Sequence, residues 1–105
     1  MASEKTLERK LVKEIQRLGG WSIKVLSVHV SGLPDRICLL PGGFVFFAEI
    51  KTTGRKPTKI QLYVHKRIRD LGFQVEVVDS LADIKKLARI IATKKLVGKI
   101  INQHE

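Results

Sequence analysis

Three residues whose side chains could carry out metal or acid–base chemistry together stand at the ends of two apolar segments. Asp35 opens the first segment, and Glu49 and Lys51 close the second. A Pro-Gly-Gly sequence at 41–43 separates the segments and is typical of a tight turn between two strands. In such a hairpin the start of the first strand lies beside the end of the second. We therefore expect Asp35 to lie close to Glu49 and Lys51.

Two adjacent carboxylates do not both stay ionised unless a cation compensates them. Lys51 is one such cation, and a hard divalent ion is another, because oxygen-only ligands suit Mg²⁺ or Mn²⁺ better than zinc. A divalent ion can hold a phosphate oxygen and activate a water, while an ammonium offsets charge in the transition state. The pattern predicts a metal-dependent site for phosphodiester hydrolysis. The alternative is a plain ion pair between Lys51 and one of the acids at a strand end.

The periodicity of the chain predicts the elements that position these residues. Apolar residues recur at helical spacing after Ser3, a candidate N-cap, and Thr58 with Gln61 fits a capping box that opens a second helix. The predicted elements are a helix (3–18), a strand (21–30), the hairpin (35–51), a helix (58–71), a strand (73–78) and a final helix from 81 that could continue past Gly98. This order predicts one α/β domain, residues 1–105, with a mixed sheet covered by helices.

The charge of the chain indicates an anionic partner. Lys and Arg outnumber Asp and Glu by 20 to 10, which gives a net charge of +10. Residues 50–69 hold seven basic and no acidic residues, and residues 84–104 hold six more, again without an acid. Such patches favour nucleic-acid binding. A basic amphipathic helix at 81–101 leaves an anionic membrane surface as an alternative.

Several single residues have a structural interpretation. The polar N-terminus predicts no signal peptide, and the single Cys38 fits a reducing cytoplasm, in a bacterium or a phage-infected host, as a small buried residue. His29 is expected in a strand and His65 on a helix surface, so no zinc site is predicted. Trp21 and Phe73 each open a strand and are expected in the core.

The acids and the lysine belong to a longer ordered set of motifs. The chain contains Gly32-Leu33-Pro34-Asp35, Glu49-Ile50-Lys51, Thr58-Lys59-Ile60-Gln61 and Leu71-Gly72, in that order. An ExK motif alone is nearly uninformative, but the set placed on a turn, a strand and a helix start is specific. With it the chain resembles the PD-(D/E)xK nucleases and, more narrowly, the virus-type replication-repair nuclease (VRR-NUC) domain, over roughly residues 4–80.

The resemblance implies an α-β-β-β-α-β restriction-endonuclease-like core to which the final helix is added. It implies Mg²⁺ or Mn²⁺ held by Asp35 and Glu49, with the Ile50 carbonyl as a further ligand, and a catalytic role for Lys51. The resemblance to stand-alone members of the family implies a small homodimer that cuts branched DNA such as four-way (Holliday) junctions. Members fused to larger repair proteins act instead on flaps. We expect a homodimeric junction-resolving endonuclease, or one for flaps or other branched DNA, with no membrane partner and no small-molecule cofactor.

The resembling family also has a glutamate on its first helix. On a helical wheel, Leu7, Leu11 and Ile15 define an apolar face, and Glu8 lies inside it at mid-helix. An acid there needs a charged partner, so we assign a catalytic and metal-binding role to Glu8. Glu4, in the first turn, is the second candidate, although the helix dipole also explains an acid at that position.

Gln61 and a basic group complete the predicted site. The family places this glutamine near the active site, where it could hold water or a metal-bound group, but it could also only close the capping box with Thr58. The residues predicted to bind the phosphate backbone are Arg36, Arg55, Lys56 and Lys59.

Two other interpretations remain open, one for the function of the chain and one for the role of the final helix. The chain could be a non-catalytic nucleic-acid-binding module, although a pure binder has no need of buried acids that repel phosphate. The final helix could be a dimer contact, a membrane-surface element or a cover for the sheet. Its apolar positions are Leu81, Ile84, Leu87, Ala88, Ile91 and Leu96.

Overall fold

Seven elements follow one another in the predicted order. The structure, a computed structural model, describes the backbone of residues 2–103 and the side chains of residues 2–96. The elements are α1 (Glu4–Arg17), β1 (Trp21–Lys24), β2 (Arg36–Leu40), β3 (Phe44–Ile50), α2 (Lys59–Asp70), β4 (Gln74–Val78) and α3 (Leu81–Gln103). The predicted α/β fold, a mixed sheet flanked by helices, is confirmed.

The four strands form one sheet in the order β1-β2-β3-β4. The pairs β1–β2 and β2–β3 are antiparallel, and β3–β4 is parallel. Gly42 and Gly43 form the predicted hairpin turn with φ angles of 87° and 81°, which favour glycine. Arg36 lies opposite Ala48 in the β2–β3 register. One residue further along this antiparallel register, Asp35 lies opposite Glu49.

One face of the sheet is closed by α1 and α3. The Ser3 side chain caps α1 by accepting a hydrogen bond from the Thr6 amide, as predicted. Apolar residues three or four apart then bury one stripe of the helix against the sheet, and α3 adds a second stripe. This core contains Leu7, Leu11, Ile15 and Leu18 of the α1 segment, Cys38, Leu40, Phe46, Ala48, Ile50 and Val78 of the sheet, and Ile84, Leu87, Ala88 and Ile91 of α3.

The opposite face carries α2 at one end only. Thr58 and Gln61 close the predicted capping box, and Val64 and His65 are the buried residues of the helix. They cover the part of the sheet where β3 and β4 run in parallel. Away from α2, side chains such as Ile37, Val45 and Phe47 are only half-buried. We call the first face of the sheet the closed face and this one the open face.

Strand β1 is shorter than predicted, and this moves His29 out of the sheet. The strand ends at Lys24, and residues 26–30 are exposed. The Ser27 hydroxyl accepts hydrogen bonds from the amides of His29 and Val30 at 3.3 and 3.0 Å. A serine turn of this kind competes with a strand ladder. The prediction of a strand over 21–30, with His29 in it, was wrong for that reason.

Trp21 and Phe73 were expected in the core, and this was also wrong. Their side chains are 65% and 49% exposed. Trp21 pairs with Leu39 on the open face, which no described helix covers at that point. Phe73 packs edge-on against Phe47 of the same face, with 6.3 Å between ring centroids. Cys38, by contrast, is fully buried, as predicted.

The final helix acts as a cover for the sheet. Ile84, Leu87 and Ile91 of α3 are buried in the core, whereas Leu81 and Leu96 are 44% and 59% exposed. The Ser80 hydroxyl accepts a hydrogen bond from the Asp83 amide at the start of the helix. Within the described residues, no helix has both the length and the apolar character needed to cross a membrane.

Candidate active site

The turn before β2 fixes Asp35 against the start of α2. Gly32 has φ +85°, and a Cβ atom there would lie 2.9 Å from the carbonyl oxygen of Ile60, so only glycine fits this close approach. Pro34, the next motif residue, is fully buried. One oxygen of the Asp35 carboxylate, Oδ2, then accepts a hydrogen bond of 2.6 Å from the Ile50 amide. The Gly-x-Pro-Asp turn thus ties this acid to the end of β3.

Glu49 is the buried acid of the site, with only 1% of the residue exposed. Its Oε1 lies 3.1 Å from His65 Nε2, and its Oε2 accepts a hydrogen bond of 3.4 Å from Gln61 Nε2. Burial, followed by the hydrogen bond and the negative charge of Asp35, raises the pKa of Glu49 to about 8, and the charge of Lys51 opposes this rise. A cation at this position would favour the ionised carboxylate.

Lys51 follows β3 directly and lies at the same end of the hairpin as the two acids. Its amide donates a hydrogen bond of 2.9 Å to the Val78 carbonyl, which continues the pairing with β4. Its positive charge acts on Glu49 and also contributes to lowering the pKa of His65. The structure therefore brings together Asp35, Glu49 and Lys51. The catalytic and metal-binding roles of these residues remain predictions.

The donor atoms of the site suit a hard divalent ion that keeps part of its own hydration. In the described part of the chain, no group of three or more His, Cys, Asp or Glu side chains is arranged to hold a metal. Asp35 and Glu49 supply carboxylates, and the Ile50 carbonyl lies between Glu49 and Lys51 in the chain. Magnesium is commonly held by one or two carboxylates, with waters and substrate phosphates completing its shell. The residues present fit such an ion.

Gln61 serves the helix cap and the acid at the same time. Its side-chain Oε1 accepts a hydrogen bond of 2.9 Å from the backbone amide of Thr58. Its backbone amide donates a hydrogen bond of 3.3 Å to Thr58 Oγ1. These two bonds complete the capping box and leave the side-chain NH₂ to reach Glu49. The two interpretations of Gln61 are therefore compatible in one geometry.

Comparisons with known proteins point to one family. No family model matches the chain. A curated protein, "Putative nuclease p44" of Acyrthosiphon pisum secondary endosymbiont phage 1, is 44% identical over 77 residues, which are 73% of this chain and 83% of the phage protein. A solved structure described as "VRR_NUC domain" superposes with a TM-score of 0.78 at 32% identity, and the match covers 84% of this chain and 97% of that one. The chain belongs to the VRR-NUC family of nucleases.

The position of His65 in this VRR-NUC chain differs from the predicted one. The residue was expected on a helix surface, but its side chain is 0% exposed and lies against Glu49. Burial lowers the pKa of His65, and the charges of Arg69 and Lys51 lower it further while Asp35 opposes them. Residues four apart share one face of a helix. The spacing between Gln61 and His65 was therefore the signal that could have placed this imidazole in the site.

The two candidate acids of α1 in this VRR-NUC chain have different surroundings. Glu8 accepts a 2.8 Å hydrogen bond from Arg36 and lies 3.8 Å from the ammonium of Lys24. Glu8 was assigned to the acidic site, whereas its contacts in the fold are with two basic residues of the sheet. Glu4 is exposed, but its negative charge adds to the rise in the pKa of Glu49. This effect is the smallest of those that raise the pKa of Glu49.

The four basic residues predicted to bind phosphate also divide into two kinds. Arg36 is only 13% exposed, because Glu8 and the Ser22 hydroxyl, 2.8 Å from its Nε, hold the guanidinium. Arg55, Lys56 and Lys59 are exposed. They lie in and just after the loop that joins β3 to α2, next to Lys51. That position suits contact with a phosphate backbone beside the acids.

Proposed function

We propose that this VRR-NUC nuclease is a metal-dependent DNA endonuclease that acts on branched DNA, with the four-way junction as its principal substrate. One observation carries the proposal. Asp35 is hydrogen-bonded to the end of β3, and the buried Glu49 beside it has a pKa raised to about 8 even though the charge of Lys51 opposes the rise. An isolated strand-end ion pair does not require an acid that is only 1% exposed.

In this proposal Asp35, Glu49 and the Ile50 carbonyl hold Mg²⁺ or Mn²⁺. Such an ion, when bound, supplies Lewis-acid stabilisation of phosphate charge and lowers the pKa of a water. The Lys51 ammonium offsets negative charge on the scissile phosphate and orients the attacking water through its N–H groups. The water oxygen bonds to phosphorus in line, the bond to the 3′ oxygen breaks, and that oxygen takes a proton. The products are a 5′-phosphate and a 3′-hydroxyl.

We assign the helix-1 role to Glu4, and this differs from the sequence-based choice of Glu8. The support is electrostatic, since Glu4 acts on the pKa of Glu49 whereas Glu8 forms a part-buried ion pair with Arg36. Glu8 then has a structural role, which is to hold α1 to β1 and β2 through Arg36. Gln61 orients one oxygen of Glu49.

DNA is the proposed substrate because the charge of the protein is strongly positive. The net charge is +10, and the exposed Arg55, Lys56 and Lys59 lie in the loop after Glu49 and Lys51 and at the start of α2. Contacts of this kind read the phosphate backbone, and they position a duplex without reporting its sequence. Binding is therefore expected to weaken steeply with salt and to depend on the shape of the DNA.

A homodimer is the proposed assembly, and the open face supplies its support. Trp21 and Phe73 are 65% and 49% exposed, and the neighbouring Ile37, Leu39 and Val45 are half-buried. Contiguous exposed apolar residues of this kind mark contact surfaces. A second copy of the chain would present two sites to the two strands of a junction. A monomeric mass in light scattering at micromolar concentration would contradict the dimer.

The test is cleavage of labelled four-way junction, flap, linear duplex and single-stranded DNA, each with and without Mg²⁺ or Mn²⁺. Paired symmetric nicks in the junction, present only with metal and absent with Glu49→Gln, are the expected result. Equal cutting of linear duplex would leave a nuclease but overturn the junction preference. Binding of all these DNAs without cutting, in either metal, would overturn the enzymatic proposal in favour of a binding module.

A further inference from the structure

Two side chains of α2, one helical turn apart, hold the two oxygens of Glu49. His65 Nε2 lies 3.1 Å from Oε1, and Gln61 Nε2 lies 3.4 Å from Oε2. The residues at 61 and 65 share one face of the helix because they are four positions apart. His65 and Glu49 are 0% and 1% exposed, so this contact is shielded from water.

The surroundings of the imidazole determine which nitrogen carries the proton. His65 Nδ1 is buried and has no hydrogen-bond partner among the described residues. A proton on Nδ1 would leave a buried donor unsatisfied, which costs more than leaving a bare acceptor. The favoured form therefore carries its proton on Nε2 and donates it to Glu49 Oε1. In this form His65 fixes the direction in which the carboxylate points.

Two local features of the fold set the position of His65. The capping box at Thr58 and Gln61 sets the start of α2. One turn of chain, at Gly32, packs so closely on this helix that a Cβ atom would lie 2.9 Å from the Ile60 carbonyl and 3.2 Å from a methyl of Val64. The turn that leads to Asp35 therefore packs directly against the first turns of α2. This packing and the capping box set the side chains at 61 and 65 against Glu49.

We propose that His65 is a positioning residue that holds the Glu49 carboxylate in the orientation required to bind a divalent cation. The inference rests on the proposed function, because it takes Glu49 as a metal ligand. Glu49 has several rotatable bonds, and each hydrogen bond from α2 removes part of that freedom before the ion arrives. Partners of metal-binding groups typically change metal affinity by about 10- to 100-fold when they are removed.

A histidine that only fills the core would behave differently on substitution. Removing a core side chain lowers the thermal stability of the metal-free protein and affects metal binding only through unfolding. Removing a positioning residue weakens metal binding in a protein that remains folded. A glutamine can retain the function, because its side-chain NH₂ offers a donor at a reach similar to that of Nε2.

The test is a Mn²⁺ titration, followed by the electron paramagnetic resonance signal of free Mn²⁺, with thermal melting of each metal-free variant. His65→Leu is expected to weaken Mn²⁺ binding by about 10- to 100-fold, and His65→Gln to stay within about threefold of the original protein. Val64→Ala is the matched control on the same helix, since it removes buried packing without a hydrogen bond. It is expected to lower the melting temperature and leave Mn²⁺ affinity unchanged.

Two results of the titration would overturn the inference. Unchanged Mn²⁺ affinity in a folded His65→Leu variant, or equal losses in the Leu and Gln variants, would reduce His65 to a core residue. Absence of Mn²⁺ binding by the original protein would instead overturn the proposed function. If the Leu variant does not fold, long-range ¹H–¹⁵N spectra of the original protein decide, because the proposal requires the proton on Nε2 and is contradicted by a proton on Nδ1.

Discussion

The two faces of strand β3 differ in which side chains they bury. On the closed face, Phe46, Ala48 and Ile50 are 0%, 0% and 3% exposed beneath α1 and α3. On the open face, Val45 and Phe47 are only half-buried, and the most deeply buried side chain of the strand there is the acid Glu49. Apolar burial thus explains the first face but not the second.

The difference separates what stabilises the fold from what the site requires. A carboxylate under a helix is costly unless it is neutral, hydrogen-bonded or paired with a cation. On the open face α2 shields the acid while leaving apolar neighbours partly in water. The closed face therefore stabilises the fold, and the open face shields the Glu49 carboxylate from water. Four sets of experiments test this separation.

Neutralising an acid of the open face should abolish activity without unfolding the protein. Asp35→Asn and Glu49→Gln are each expected to lower single-turnover cleavage of a junction about 1,000-fold or more, since several kcal/mol of transition-state stabilisation are lost. Binding of the junction should be equal or tighter, because a charge that repels phosphate is removed. Asp70→Asn, which breaks an exposed pair with Lys66, is the matched control and should cut normally. Normal cutting by Asp35→Asn would contradict the assignment.

The contribution of each face to stability can be compared directly at two adjacent aromatic residues. Phe46 is fully buried on the closed face, and Phe47 is half-buried on the open face. Phe46→Ala is expected to lower the free energy of unfolding by about 3–5 kcal/mol, and Phe47→Ala by roughly half as much. Urea denaturation of both variants measures the difference. Equal losses would remove the distinction between the faces.

The two acids of α1 should separate stability from catalysis. Glu8→Gln weakens a part-buried ion pair with Arg36 and is expected to cost about 1.5–3 kcal/mol of unfolding free energy, the range for hydrogen bonds to charged groups. Its cleavage rate should remain near that of the original protein. Glu4→Gln should leave stability unchanged and lower the cleavage rate by about tenfold, roughly 1.4 kcal/mol. The reverse pattern would return the helix-1 role to Glu8.

The smallest effect is the pH dependence of the metal-free protein. Because the pKa of Glu49 is raised from 4.5 to about 8, the folded protein keeps a proton that the unfolded chain has lost, and stability falls as the pH rises toward 8. The lowered pKa of His65 has the opposite effect, but only below its usual value of 6.5. The melting temperature should therefore fall by a few degrees between about pH 6.5 and pH 8.5.

Two additions sharpen the pH experiment. Glu49→Gln should flatten the decline, because the side chain no longer titrates. Saturating Mg²⁺ should raise the melting temperature most at the alkaline end, since the ion favours the deprotonated carboxylate. A decline of the same slope in Glu49→Gln would assign it to another group.

The parts of the site that were predictable from sequence depend on local rules. The turn at 41–43 sets the register of the hairpin, and the register brings Asp35 to Glu49 and Lys51. The Thr58–Gln61 capping box likewise identified the start of α2. Each of these follows from residues close together in the chain or joined by one tight turn.

The parts that were missed depend on how distant elements pack. His65 was placed on a surface because the sequence alone does not tell which side of α2 faces the sheet. Trp21 was placed in the core because its pattern suits a strand, but no described helix covers that part of the open face. Glu8 was assigned to the acidic site from its place on the helical wheel, but its carboxylate pairs with Arg36 of a different element.

A crystal structure of the protein with Mn²⁺, in which the anomalous signal locates the ion, tests directly whether the two acids bind a metal. We expect one or two Mn²⁺ peaks contacting both Asp35 and Glu49, with His65 and Gln61 still hydrogen-bonded to the Glu49 carboxylate. An ion bound elsewhere, or no peak at saturating Mn²⁺ with Glu49 unchanged under α2, would contradict it. The acids and the lysine would then have only a structural role at this end of the hairpin.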